Sequence, residues 1–305
     1  KSYKISKILS DMSITDGYTI IDTQLHKYKE EKLCDFYIAS AFRPYLGNNQ
    51  ILNYIDLSIT EHIIKKGVRC IYVDIYNDSM GEFAQPVIST GIKKGQWKLS
   101  LNTVPFEDLC KLLATVCFNA GYVNNPDDPF ILILNLNVNQ NINCLNIMRN
   151  NIYKYLSRYL LSNKYAYCNV KDFGQEPIKN FKKKLLIFSS DGYQNSDLEE
   201  FINLSWGNNG LQKISYESLY SDVSDVSVLK INPESLKIYN TNNITIVTPS
   251  ESVSWTNLYT TNYKPNNFWQ NGCQIVCMNY QKIDSYFESY IEKFKTDSFI
   301  HKSIT

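Results

Sequence analysis

The chain has 305 residues, with Lys and Arg contributing 31 and Asp and Glu 30, for a formal net charge of +1. That balance leaves no basic stripe of the kind nucleic acid demands, so nucleic acid is not expected as a partner. No apolar run reaches the roughly 18 residues that a bilayer-spanning helix needs, while a 44% hydrophobic share is enough for one large core.

Residues 1–33 are polar and weakly periodic, and read as an arm packed outside the main core. The opening KSYKISKILSDMS has neither an apolar segment nor a small-residue cleavage site, so nothing marks secretion. Phe36–Ala39 reads as a strand. Gln50–Lys66 has apolar residues at helical spacing and is closed by Gly67. Arg69–Tyr76 and Pro86–Ser89 read as strands, and Pro105–Ala120 as a helix with proline tolerated at its start. Phe130–Asn137 (FILILNLN) is the continuous apolar run of a strand buried on both faces. A helix over Cys144–Leu161 and a strand over Lys184–Phe188 follow.

The rhythm then breaks. Residues 190–230 are rich in Ser, Asp and Asn and read as a connector. Beyond it come a helix at Glu234–Tyr239 and strands at Ile244–Val247 and Gly272–Asn279. Strand alternating with helix points to parallel β/α units and an α/β fold.

The eight cysteines contain no CxxC pair, and those in apolar patterns, such as Cys110, Cys117, Cys273 and Cys277, read as core thiols. Reduced thiols point to an intracellular setting, cytoplasmic or membrane-peripheral. Asn and Tyr are frequent, a bias that fits an AT-rich genome such as that of a large DNA virus or a protist.

Several strings together resemble the catalytic core of the eukaryotic-type phosphoinositide-specific phospholipase C family. Its X half resembles Phe36–Leu46, Gly67–Asp78, Val104–Leu112, Pro129–Asn139 and Pro177–Phe188. Its Y half resembles Thr248-Pro249 and Asn262–Gln281, where the NYKP lead-in and the WQNGCQIV string keep the family's order and spacing. The resemblance implies a distorted TIM-type β/α barrel of the phosphoinositide phospholipase C kind. It divides the chain into an arm (1–33), an X-like half (34–190), a connector (191–230) and a Y-like half (231–305).

The family's chemistry needs a general base, an acid for the leaving group, and calcium held by carboxylate and amide oxygens. Two histidines do central work there, yet this chain's three, His26, His62 and His301, stand at none of the strand ends. The resemblance places the family's histidines at Phe42 and Thr90, and a metal-binding asparagine at Arg43. The metal-ligand pair of the second strand falls on Tyr72 and Asp74, and the fourth strand's glutamate on Asn135 or Asn137, two registers left open. The phosphate-binding lysines fall near Phe188 and Ser190, and the arginine and ring-stacking tyrosine on Ile246 and Thr248.

The expectation is therefore a pseudoenzyme without catalytic residues and with calcium binding lost. An ion pair between Arg43 and Asp74 would fill the metal's place; the alternative has both groups facing solvent separately. The default use is as a structural or protein-interaction component, of a virion or another large assembly, with other proteins as partners. Two alternatives stay open: a membrane-peripheral phosphoinositide-binding module without turnover, and a phosphodiester hydrolase with a site rebuilt around Asp74, Tyr72 and Arg43. The run Lys182-Lys183-Lys184 reads as a solvated loop edge rather than a lipid contact. The tryptophans Trp97, Trp206, Trp255 and Trp269 read as structural, and sequons at Asn203 and Asn243 have no secretory signal to support their use.

Overall fold

The computed structural model describes residues 25–47, 50–92, 97–207, 210–219, 231–249 and 261–304. Most of the expected arm, residues 220–230 of the expected connector and Trp255 lie outside them, as does the side chain of Trp97. The strands are β1 (Phe36–Ile38), β2 (Ser40–Phe42), β3 (Cys70–Asn77), β4 (Pro86–Ile88), β5 (Gly91–Ile92), β6 (Trp97–Lys98) and β7 (Val104–Pro105). They continue as β8 (Phe130–Asn137), β9 (Leu185–Ser189), β10 (Leu204–Ser205), β11 (Leu211–Ser215), β12 (Ile244–Thr248), β13 (Ile275–Val276) and β14 (Phe299–His301). The helices are α1 (Leu57–Lys65), α2 (Phe106–Val116), α3 (Ile142–Leu156), α4 (Pro233–Tyr239), α5 (Asn266–Trp269) and α6 (Ser285–Lys293).

Parallel pairing runs β2–β3–β8–β9–β10 and β11–β12–β13. β10 lies beside β11, and the circle closes through β13 pairing β1 and a parallel bridge from Ala41 to Met278. This is a TIM-type barrel. β4 and β7 extend the β3 edge antiparallel, and β14 runs antiparallel to β1.

Alternation along each strand sorts side chains into two cores. Phe42, Cys70, Tyr72, Ile131, Ile133, Leu186, Phe188, Ile244, Ile246, Ile275 and Cys277 fill the barrel interior. Their strand neighbours, including Ile71, Val73, Leu132, Leu134, Ile187 and Val247, pack outward with the helices. The same alternation, carried to the C-terminal strand ends, puts Asp74, Asn135, Asn137, Ser190 and Thr248 on the interior face.

Helix starts follow local chemistry. Asp56, Asn141, Asn232 and Asp284 cap α1, α3, α4 and α6 by accepting first-turn N–H bonds. At the N-terminal end of the barrel, Gln274 Nε2 donates to the carbonyls of Cys34, Asn240 and Asn243 at 3.0, 3.1 and 2.8 Å. That gives the WQNGCQIV string a structural use.

Three expectations are corrected. Residues 204–205 and 211–215 are barrel strands, although they lie in the stretch read as a connector. Helix α1 begins at Leu57, not Gln50: Leu52 has φ +53°, and the Ile55 N–H donates to Asn102 Oδ1 while its C=O accepts from Asn102 Nδ2. The Gly272–Asn279 strand shrinks to Ile275–Val276 with a bridge at Met278. Seven cysteines are buried as expected, but Cys168 is exposed.

Candidate functional site

The residues singled out from the sequence converge at the C-terminal mouth of the barrel, where TIM-barrel sites are built. Arg43 follows β2 with φ +43°, a left-handed conformation unusual for a side chain larger than glycine. Three bonds hold it: its N–H donates to Tyr72 O (3.0 Å), and its carbonyl accepts from Leu46 N (3.1 Å) and Gln281 Nε2 (2.9 Å). Strain kept by surrounding contacts is a mark of a position with a task.

The turn aims the guanidinium inward. Arg43 Nη2 lies 2.7 Å from Asp74 Oδ2, with side-chain exposures of 3% and 0%. Arg43 Nη1 donates to Gln50 Oε1 at 3.2 Å. The other Asp74 oxygen, Oδ1, accepts from Asn135 Nδ2 at 2.9 Å. Asn135 stands opposite Asp74 in the β3–β8 pair, and Asn137 lies one pleat further, donating to Asn135 O at 3.3 Å. Tyr45 supports the same point from behind, accepting the Asp74 N–H (3.1 Å) and donating to Ser89 O (3.0 Å). Burial, and then the nearby Asp74 charge, push the Tyr45 phenol well above its ordinary pKa, so it stays a neutral donor.

Below this layer the interior is aromatic and apolar. Phe42 and Tyr72 are fully buried with ring centroids 5.2 Å apart, and the Arg43 guanidinium carbon sits 4.7 Å from the Phe42 ring. Tyr72 stacks on Trp206 at 6.3 Å, with Lys213 Nζ 5.4 and 5.6 Å from the two rings. Phe188 and Ile246 are fully buried in the same interior.

At the rim, Ser190 Oγ accepts from Leu136 N (2.8 Å) and donates to Asp191 O (3.2 Å). Thr90 Oγ1 donates to Gln50 O at 2.7 Å. Four buried acceptor atoms at this end, Asn135 Oδ1, Asn137 Oδ1, Thr248 Oγ1 and Gln281 Oε1, have no hydrogen-bond partner among the described residues.

Sequence reasoning missed Tyr45, Gln50 and Gln281 as parts of this layer. Tyr45 and Gln281 lie inside family-like strings; nothing local marks Gln50.

No histidine side chain that is described stands here. His62 lies on the outer helix α1. His301 is the last residue of β14, which corrects the expectation that no histidine stands at a strand end; it pairs across from Phe36 at the opposite end of the barrel from the candidate site, stacked on Tyr28 at 4.7 Å. His301, Glu31 and Asp35 bring ligand atoms within 4.8 Å of one another. His301 Nδ1 lies within hydrogen-bond reach of the Ser303 hydroxyl (2.6 Å) and of the Ser303 N–H (3.3 Å), and its Nε2 is 3.9 Å from Glu31 Oε2.

Models of the phosphatidylinositol-specific phospholipase C X domain and Y domain match residues 29–190 and 205–302. The chain belongs to this family.

Among its relatives, the 1-phosphatidylinositol 4,5-bisphosphate phosphodiesterase delta-3-A of Danio rerio is 21% identical over 304 residues, covering 85% of this chain and 36% of that protein. The eta-1 enzyme of Mus musculus is 28% identical over 76 residues, 25% of this chain and 4% of the relative. In structure, PLC21 of S. officinalis matches with a TM-score of 0.70 at 17% identity, over 93% of this chain and 38% of that one. A calcium-dependent phosphoinositol-specific phospholipase C from Pseudomonas sp. matches with a TM-score of 0.51 at 8% identity, over 87% of this chain and 94% of that one. The two structural matches establish the shared barrel. This chain thus spans little more than a third of its longest-matching relative. Among the described residues, no helix is long and apolar enough to cross a membrane.

The other residues flagged for function have structural surroundings. Lys182 pairs with Asp127 at 3.0 Å, and Lys184 donates to Leu160 O. Trp269 is buried among Tyr37, Tyr290 and Phe294. Asn203 is buried, accepting the Ile187 N–H and donating to Tyr165 O, which removes it as an exposed sequon.

Proposed function

We propose that this chain is a catalytically inactive member of the family, retained as a structural or protein-interaction component of a larger assembly. The observation that carries the reading is the buried Arg43–Asp74 pair at the barrel mouth. A divalent cation is held by several oxygens whose negative charge offsets its own. Here the buried Asp74 carboxylate is already neutralised at 2.7 Å by a guanidinium, and its second oxygen is held by an amide N–H. A calcium ion would have to sit beside a fixed positive charge, so the residues do not fit it.

Proton transfer fares no better. Phe42 and Thr90 stand where the resemblance puts the acid–base groups; a phenyl ring has no ionisable proton, and the threonine hydroxyl is engaged with Gln50 O. Incubation with vesicles carrying phosphatidylinositol 4,5-bisphosphate and calcium tests the reading. Release of soluble inositol phosphate would overturn it and favour a hydrolase rebuilt around Asp74, Tyr72 and Arg43.

A second reading, a membrane-peripheral phosphoinositide-binding module without turnover, is favoured by two observations. The partnerless acceptors of Asn135, Asn137, Thr248 and Gln281 suit a ligand rich in hydroxyl donors. Met80 and Phe83, on the loop after β3, are almost fully exposed. Co-sedimentation with phosphoinositide vesicles, without product, separates this reading from the first.

A further inference from the structure

A cavity of about 530 Å³ lies between α5, α6 and the C-terminal turn after β14, lined by none of the barrel-mouth residues. That suits a small organic ligand. Its floor is aromatic. Tyr37 projects outward from β1, its hydroxyl donating to Trp269 O at 2.6 Å, with the two rings 6.2 Å apart. Trp269 is backed in turn by Tyr290 at 5.7 Å.

Two ammonium groups face this floor. Lys293 Nζ lies 4.7 Å from the Tyr37 ring centroid and 4.6 Å from that of Trp269. Lys302 Nζ lies 5.8 Å from the Tyr37 ring and donates to Asn240 O at 3.1 Å. Cation–π contacts hold an ammonium without cancelling its charge. Among the described residues Lys293 makes no ion pair; its neighbour Glu292 is engaged with Lys295 at 3.5 Å. Burial lowers the Lys302 ammonium's pKa, with Cys34 and Asp35 opposing that shift.

A third donor is unsatisfied. The indole N–H of Trp269, a residue only 7% exposed, has no hydrogen-bond acceptor among the described residues. Gln270 and Ser289 complete the wall with further donors. Half-buried positive charge around one cavity is complementary to a ligand bearing negative charge. Two ammoniums favour a dianion over a monoanion, and the aromatic floor favours an organic body attached to it.

We propose that the cavity formed by Tyr37, Trp269, Lys293 and Lys302 is a binding site for a small organic phosphate. It is independent of the barrel mouth and of whether that mouth is active. The probes are phenyl phosphate, inorganic phosphate and phenylacetate, titrated calorimetrically into the whole chain at low ionic strength. Phenyl phosphate is expected to bind saturably at one site and more tightly than the other two.

Lys293→Met and Lys302→Met should each weaken it by roughly tenfold or more, while Lys293→Arg, which keeps the charge, should retain most of the binding. Thermal unfolding of each variant shows whether it is folded. Vesicles carrying phosphatidic acid identify the source: capture that phenyl phosphate displaces points to a lipid headgroup, and no capture to a soluble phosphate ester. Absence of saturable phenyl phosphate binding, or binding that survives both methionine substitutions, would overturn the proposal.

Discussion

Replacing Arg43 with methionine isolates the interaction on which the functional reading depends. The pair is buried on both sides, so the solvent screening that makes surface ion pairs nearly worthless does not apply. Methionine fills part of the volume but leaves the buried Asp74 carboxylate without the Arg43 charge, while the Asn135 N–H still donates to Oδ1. Breaking a buried pair this way costs about 3–5 kcal/mol, because one charge is left without compensation. That is a large share of the roughly 5–15 kcal/mol that holds a domain together.

The assay is urea unfolding of wild type, Arg43→Met, Asp74→Asn and the double variant. The single Arg43 substitution should move the midpoint down by on the order of 1 M. The double variant should recover most of the loss, because removing both charges leaves nothing to compensate. A loss below about 1 kcal/mol for Arg43→Met, the range of exposed pairs, would refute the reasoning.

Tyr45→Phe deletes the acceptor for the Asp74 N–H and the donor to Ser89 O; it should cost about 1–3 kcal/mol in the same denaturation. Phe42→Ala opens a void in the barrel interior and should cost about 3–5 kcal/mol, whereas Phe42→Leu should cost much less. The pH dependence of stability should report Lys293. Burial lowers its ammonium pKa in the fold to about 8, below the unfolded value, so the unfolded chain binds the extra proton between the two values. Stability from this group is complete above the unfolded pKa and is lost as pH falls through about 8. Lys293→Met should flatten that slope, and an unchanged profile would count against the burial assigned here.

Much of the fold was legible because β3, β8 and β9 are buried on both faces and read as apolar runs. β11 was not. Its Gln212 and Lys213 are only half-buried, so the strand looked like part of a polar connector. The false start of α1 has a similar cause. Ile51 and Ile55 are buried at helix-like spacing, but through bends and the Asn102 amide rather than a helical turn.

At the site, family-like strings located Phe42, Arg43, Asp74 and Thr90, since the barrel fixes which strand-end residues face inward. Gln50 escaped because its role exists only once the loop after β2 folds back over Thr90 and Arg43. That Asn135 rather than Asn137 meets the Asp74 carboxylate needed the actual β3–β8 register. The cavity under Lys293 assembles residues from position 37 to position 302, a distance no local pattern bridges.

The central claim, that the barrel mouth no longer performs the family's hydrolysis, is tested most directly by a stoichiometric turnover assay. The chain is mixed with an equal amount of phosphatidylinositol 4,5-bisphosphate in vesicles, with millimolar calcium, and followed by chromatography of the soluble fraction. The account predicts no inositol phosphate above the protein-free blank, even at long times. Calcium-dependent product that disappears in Asp74→Asn would contradict it.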